Sequence, residues 1–164
     1  MRMKKLFFTF FTLTALSFTS WAQPYKTALG VRVGYPNQVN FTLKHYLGTN
    51  WALEFNAGAG YRSAGVDLGF MYHFDIKKVE GLRWYLGAAV DAGTYYRKRY
   101  HPVHGYAKHG GFYTGTSIYG GVEYTFSNIP LNLAFDAGPR LQFVPWDHYP
   151  DYARVGLTAR YTIK

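Results

Sequence analysis

The stretch WALEFNAGAGYR, residues 51–62, alternates two kinds of residue with a period of two. Trp51, Leu53, Phe55, Ala57, Ala59 and Tyr61 make one set; Ala52, Glu54, Asn56, Gly58, Gly60 and Arg62 make the other. Successive side chains of a strand point to opposite faces, so this is a β-strand with one apolar and one polar face. The alternation alone leaves open which face meets water. A soluble sheet turns its apolar set toward a core, whereas a membrane barrel turns it toward lipid and fills its interior with the polar set.

The pattern recurs along the chain. Eight segments carry it: 28–35, 38–47, 51–61, 65–74, 82–94, 113–126, 131–143 and 152–164. In the last, Val155, Leu157, Ala159, Tyr161 and Ile163 alternate with Arg154, Gly156, Thr158, Arg160 and Thr162. Eight strands are about the smallest number that closes a barrel filled by its own side chains. Before them stands MRMKKLFFTFFTLTALSFTSWAQ, with Arg2, Lys4 and Lys5, an apolar run over 6–16, and small residues at Ser20 and Ala22. This reads as a secretory signal peptide over 1–22, cleaved after Ala22, with a single barrel domain over 23–164. The apolar run is shorter than the ~20 residues a spanning helix needs. With no cysteine in the chain, there is neither a lipoprotein signal nor a disulfide. Three of the 18 basic residues lie in this leader, which leaves 15 against 9 acids and a mature charge of +6.

Composition of the polar face separates water from lipid. A solvated sheet surface carries long charged residues and Thr. Here it is mostly small: Gly30, Gly34, Asn40, Asn56, Gly58, Gly60, Gly69, Gly87, Ala89, Gly121, Ala134, Gly138 and Gly156. Among these stand five bases, Arg32, Lys44, Arg140, Arg154 and Arg160, and five acids, Glu54, Asp67, Asp91, Glu123 and Asp136. Equal numbers of opposite charges suit an enclosed space where ions must pair. The other face is nearly free of charge. Many aromatics fall near strand ends, among them Tyr35, Trp51, Tyr61, Phe74, Trp84, Tyr124, Phe126, Phe143 and Tyr161, where interfacial girdles belong. The prediction is an all-β, eight-stranded antiparallel transmembrane up-and-down barrel with its polar face inward. A soluble lipocalin-like barrel or a β-sandwich would leave glycines and paired charges outside.

On these features the mature chain resembles the small eight-stranded outer-membrane β-barrel proteins of diderm bacteria, similar in architecture to the transmembrane domain of the protein A family. LKHYLGTNWALEFNAG also looks like the strand–turn–strand of the outer-membrane β-barrel domain group. The chain departs from the family at its end, RYTIK, where many members finish on Phe. The resemblance implies a bacterial outer-membrane location, both termini periplasmic, insertion by the barrel-insertion machinery, and contact with outer-membrane lipids. Periplasmic turns are then expected at 47–50, 75–81 and 127–130, and outer loops at 36–37, 62–64, 95–112 and 144–151.

The third loop is strongly basic. Residues 95–113 carry Arg97, Lys98, Arg99 and Lys108, six aromatics and no acid. This points to anionic headgroups such as the phosphates of lipopolysaccharide, or to an ordinary solvated loop. Single-stranded nucleic acid fits the composition, but not an exported membrane barrel. His101, His104 and His109, with His148 in the fourth loop beside Asp147 and Asp151, are weak metal-ligand candidates of undiagnostic spacing; no cofactor is expected. His73 falls on the lumen face, near Asp67 by alternation. The rival classes are a lipid-modifying acyl hydrolase or transferase and a narrow, porin-like passive channel. Ser63, Ser117 and Ser127 lack a nucleophile context, and His45 is the odd polar residue on a lipid-facing row. Tyr119 and Met71 are bulky enough to plug a lumen of eight strands. A structural or interaction role in the cell envelope is the leading expectation.

Overall fold

The computed structural model describes residues 25–35, 39–60, 63–101, 105–143 and 152–163, with the backbone alone over 96–109. Eight strands follow in chain order: β1 (Thr27–Tyr35), β2 (Val39–Tyr46), β3 (Trp51–Ala59), β4 (Ser63–Asp75), β5 (Leu82–His101), β6 (Gly105–Thr125), β7 (Leu131–Phe143) and β8 (Ala153–Ile163). Each pairs antiparallel with the next, and β1 pairs with β8 from Thr27↔Ile163 to Tyr35↔Val155, which closes the barrel. Closure leaves no sheet edge along the wall. The expected signal peptide, the loops 36–37 and 144–151, and Tyr61, Arg62, His104, His148 and Lys164 lie outside the described residues.

Burial follows the alternation. Along β8 the pattern is strictly two-periodic, with Arg154, Gly156, Thr158, Arg160 and Thr162 buried and their neighbours exposed. Outside, Val31, Phe41, Phe55, Leu68, Val90, Ile118, Leu133 and Leu157 are all exposed. At the end that holds the turns 47–50, 76–81 and 126–130, outward aromatics pack into a band. Trp51 stacks on Phe70 at 4.7 Å, Phe74 stacks on Trp84 at 4.0 Å, and Tyr124 meets Phe126 edge-on at 4.7 Å. The turn before β5 depends on Gly81, whose φ of +81° lies in the left-handed region that glycine tolerates.

The third loop is corrected by the structure. Residues 95–101 and 105–112 continue β5 and β6 as an unbroken antiparallel ladder, from Tyr95↔Gly111 to His101↔Gly105. The alternation rule missed this because it detects only strands with one apolar and one polar face. Crossing a bilayer takes about 9–11 tilted residues, and β5 and β6 run for 20 and 21. Beyond Tyr95 and Gly111 the sequence loses its apolar–polar alternation while backbone pairing continues.

Inside, β5 and β6 solve a filling problem with four cross-strand pairs of tyrosine and glycine: Tyr85↔Gly121, Gly87↔Tyr119, Gly93↔Tyr113 and Tyr95↔Gly111. In each, the ring lies over the missing side chain of its partner; a Cβ on Gly121 would sit 2.5 Å from the Tyr85 ring and from the Phe135 carbonyl oxygen. Gly120, one residue away and facing outward, has nothing nearer than 3.3 Å. Gly121→Ala should therefore cost about 1–3 kcal/mol through overpacking, while Gly120→Ala should be near neutral in urea unfolding. Equal effects at the two positions would contradict the ring-over-glycine packing.

Candidate functional site

The polar residues of the strands converge on the barrel interior. All ten charged residues singled out in the sequence point inward, and each lies within ion-pair reach of an opposite charge. Arg32 pairs with Asp136, Arg140 with Asp91, and Arg160 with Glu54; Lys44 Nζ is 2.5 Å from Glu123 Oε2. Arg154 reaches Asp67 at 3.3 Å and Asp136 at 3.5 Å. Eight of the ten are no more than 4% exposed, and Asp67 and Asp91 are half-buried toward the loop end. A buried charge without a partner is costly enough to unfold a marginal domain, and among these ten residues the five bases are matched by five acids.

The pairs reach across the interior. Lys44 and Glu54 are register partners on β2 and β3, yet Lys44 joins Glu123 on β6 and Glu54 joins Arg160 on β8. Two other pairs join strands that are one strand apart, and glycine makes the passage. Arg32 on β1 passes over Gly156 of β8 to meet Asp136 on β7, so any Cβ there would collide with its guanidinium. Asp91 on β5 meets Arg140 on β7 over Gly115 of β6, where a Cβ would lie 2.8 Å from the carboxylate. The small residues are thus windows for specific ion pairs.

Arg160 uses its whole guanidinium. Besides Glu54, it donates from Nη1 to Asn132 Oδ1 at 3.2 Å and from Nε to Thr42 Oγ1 at 3.4 Å. Nearer the turn end, Lys44 sits in a ring of aromatics, with Nζ 5.0 Å from the Tyr46 centroid, 5.5 Å from Tyr85 and 5.9 Å from Tyr25. Tyr46 donates its hydroxyl to Glu123 at 2.7 Å. His73 lies here and not beside Asp67, because six residues along a strand span about 20 Å. Lys44 donates to its Nε2 at 2.8 Å, so Nδ1 carries the proton and donates to the Asn50 carbonyl at 3.2 Å. The ring flanks the direct Lys44–Glu123 pair, with Nε2 also 3.5 Å from Glu123 Oε1.

Arg83 belongs to the same end and the sequence reading overlooked it. It meets Asp75 at 2.6 Å, donates to the Thr49 carbonyl at 3.0 Å, and covers the Tyr46 ring. The alternation Arg83, Tyr85, Gly87, Ala89, Asp91 held the signal. At the loop end a crevice between Arg32, Asp67, Asp91, Tyr113, Arg140 and Arg154 has room for about one water molecule.

The remaining candidates fall elsewhere. Ser117 is buried inside, and Ser127 donates to Asn128 on an exposed turn. Ser63 opens β4 opposite Tyr95. His45 is hydrogen-bonded through Nδ1 to Thr27 Oγ1 at 2.9 Å, so two polar groups on an apolar wall satisfy each other. Among the described residues no three His, Cys, Asp or Glu converge to hold a metal ion. The side chains of Arg97, Lys98, Arg99, His101, Lys108 and His109 lie outside the described residues. Their backbones pair as Arg97↔His109, Lys98↔Lys108 and Arg99↔Ala107.

Comparison with protein-family models gives no match, and no curated protein matches the chain. Among solved structures, the crystal structure of Neisserial surface protein A is similar at 16% identity and a TM-score of 0.43, over 82% of this chain and 89% of that one. The likeness is distant.

Removal of one partner leaves the other charge buried alone. Glu54→Ala should destabilise the barrel by roughly 3–5 kcal/mol, and the double variant Glu54→Leu/Arg160→Met should recover most of that loss. Urea unfolding in lipid or detergent reads both; a cost below about 1 kcal/mol for Glu54→Ala would show that Arg160 is hydrated.

Proposed function

We propose that the protein is an integral barrel of the bacterial outer membrane with a structural or interaction role. One observation carries this: the barrel is polar within and apolar without. The wall exposes Val31, Phe41, Leu68, Val90, Ile118, Phe135 and Leu157, while Arg32, Lys44, Glu54, Glu123, Arg140 and Arg160 are buried. In water that arrangement loses the hydrophobic term twice over, since apolar area stays wet and charges are desolvated. In a bilayer both faces are satisfied, and closure supplies the hydrogen bonds that lipid cannot. The aromatic band at the turn end fits an interface girdle. Residues 1–22 act as the export signal in this reading. An even number of strands returns both chain ends to one side of the membrane; in this reading that side is periplasmic, with the β5–β6 hairpin outside.

The interior pairs close the lumen to ions, because a permeant ion would have to displace a buried charge from its partner. The hairpin is the contact element. Arg97, Lys98, Arg99 and Lys108 stand in a segment without an acid and engage the phosphates of lipopolysaccharide, each contributing about 1 kcal/mol, within a screening length of about 8 Å at physiological salt.

Two measurements test this. The unheated protein should partition with outer membranes and run faster on a gel than the boiled protein; recovery as a soluble periplasmic monomer would overturn the membrane reading. Replacing the four basic residues by Gln should weaken binding to lipopolysaccharide in neutral detergent, and added salt should weaken binding by the parent chain, with gel mobility unchanged. Equal binding by parent and variant, and to lipopolysaccharide stripped of phosphate, would overturn the phosphate contact.

A further inference from the structure

The wall of the barrel has no edge, but the hairpin that rises from it does. β4 accompanies β5 only as far as Ser63↔Tyr95, and β7 accompanies β6 only as far as Thr114↔Phe143. Beyond those points β5 and β6 continue as a two-stranded ribbon to His101↔Gly105. Where β4 begins, the Gly60 amide donates to the Ser63 carbonyl at 2.7 Å. Six residues of strand, 96–101, extend about 20 Å. Along that edge, away from β6, no strand lies among the described residues.

A free edge offers alternate backbone N–H and C=O groups to any extended chain. The sequence on this one is Tyr-Arg-Lys-Arg-Tyr-His, with Arg97, Lys98 and Arg99 consecutive. A second copy is a poor occupant, because antiparallel self-pairing would oppose like charges across the new ladder, which is destabilising. An acidic strand reverses that term at every charged position. We infer that the edge at 96–101 accepts an extended acidic segment of a partner protein as an added strand. The inference rests on strand register and charge, and it stands apart from the lipopolysaccharide contact proposed above.

The test separates backbone pairing from charge. The folded protein in neutral detergent is titrated into a labelled heptapeptide of alternating Glu and Val, read by fluorescence anisotropy. Two further peptides carry the same charge, one N-methylated on the Glu amides and one on the Val amides, so that each blocks one edge of the peptide strand. The expected result is saturable binding that one N-methylated series weakens at least tenfold and the other leaves unchanged. Arg97→Gln/Lys98→Gln/Arg99→Gln should also weaken it, with the gel mobility of the folded barrel retained. Absence of saturable binding, or equal binding by all three peptides, would overturn strand addition. Lipopolysaccharide titrated into the same samples reads the phosphate contact separately, so each proposal fails on its own measurement.

Discussion

Opposite charges that meet across a narrow closed interior are the interaction on which this barrel depends. Eight strands leave no room for bulk water inside, so a charge placed there must find its counter-charge on another strand. Six such contacts link Arg32, Lys44, Arg140, Arg154 and Arg160 to Glu54, Asp67, Asp91, Glu123 and Asp136. They fix which strand stands opposite which. A register slip of one residue would turn a whole row of these charges outward. Neutral buried pairs are weak evidence of net stability but costly to break, and here they make wrong registers unfavourable.

Packing serves the same end. Gly156 and Gly115 open the way for ion pairs that skip a strand, and Gly87, Gly93, Gly111 and Gly121 receive tyrosine rings. The same small residues lower the β propensity of these strands, a cost offset by the ring and ion-pair packing they admit. Outside, nothing comparable is needed, and the wall carries interchangeable aliphatic and aromatic groups.

Much of this was legible in the chain. Six strands begin and end within about two residues of where alternation places them, since a wall with two unlike faces writes a period of two into the sequence. β5 and β6 overran the reading because the pattern stops beyond Tyr95 and Gly111 while backbone pairing continues. The inward direction of the ten charges was also legible, but not their partners. Lys44 and Glu54 are neighbours in register that choose opposite walls, and His73 sits with Lys44 because of its height on β4; both facts require the register of every strand. Glycine windows read only as small residues, since what passes over Gly156 comes from β1, more than a hundred positions earlier.

The central claim is that the outer wall faces lipid. The chain has no cysteine, so a spin label can be placed singly along β8 at positions 155, 157 and 159 and at the inward position 158. Collision rates with oxygen, which concentrates in lipid, and with a water-soluble nickel chelate report the surroundings of each label. High oxygen and low nickel collision are expected at 155, 157 and 159, and low rates of both at 158. Strong nickel collision at 155, 157 and 159 would contradict it, for those side chains would then face water.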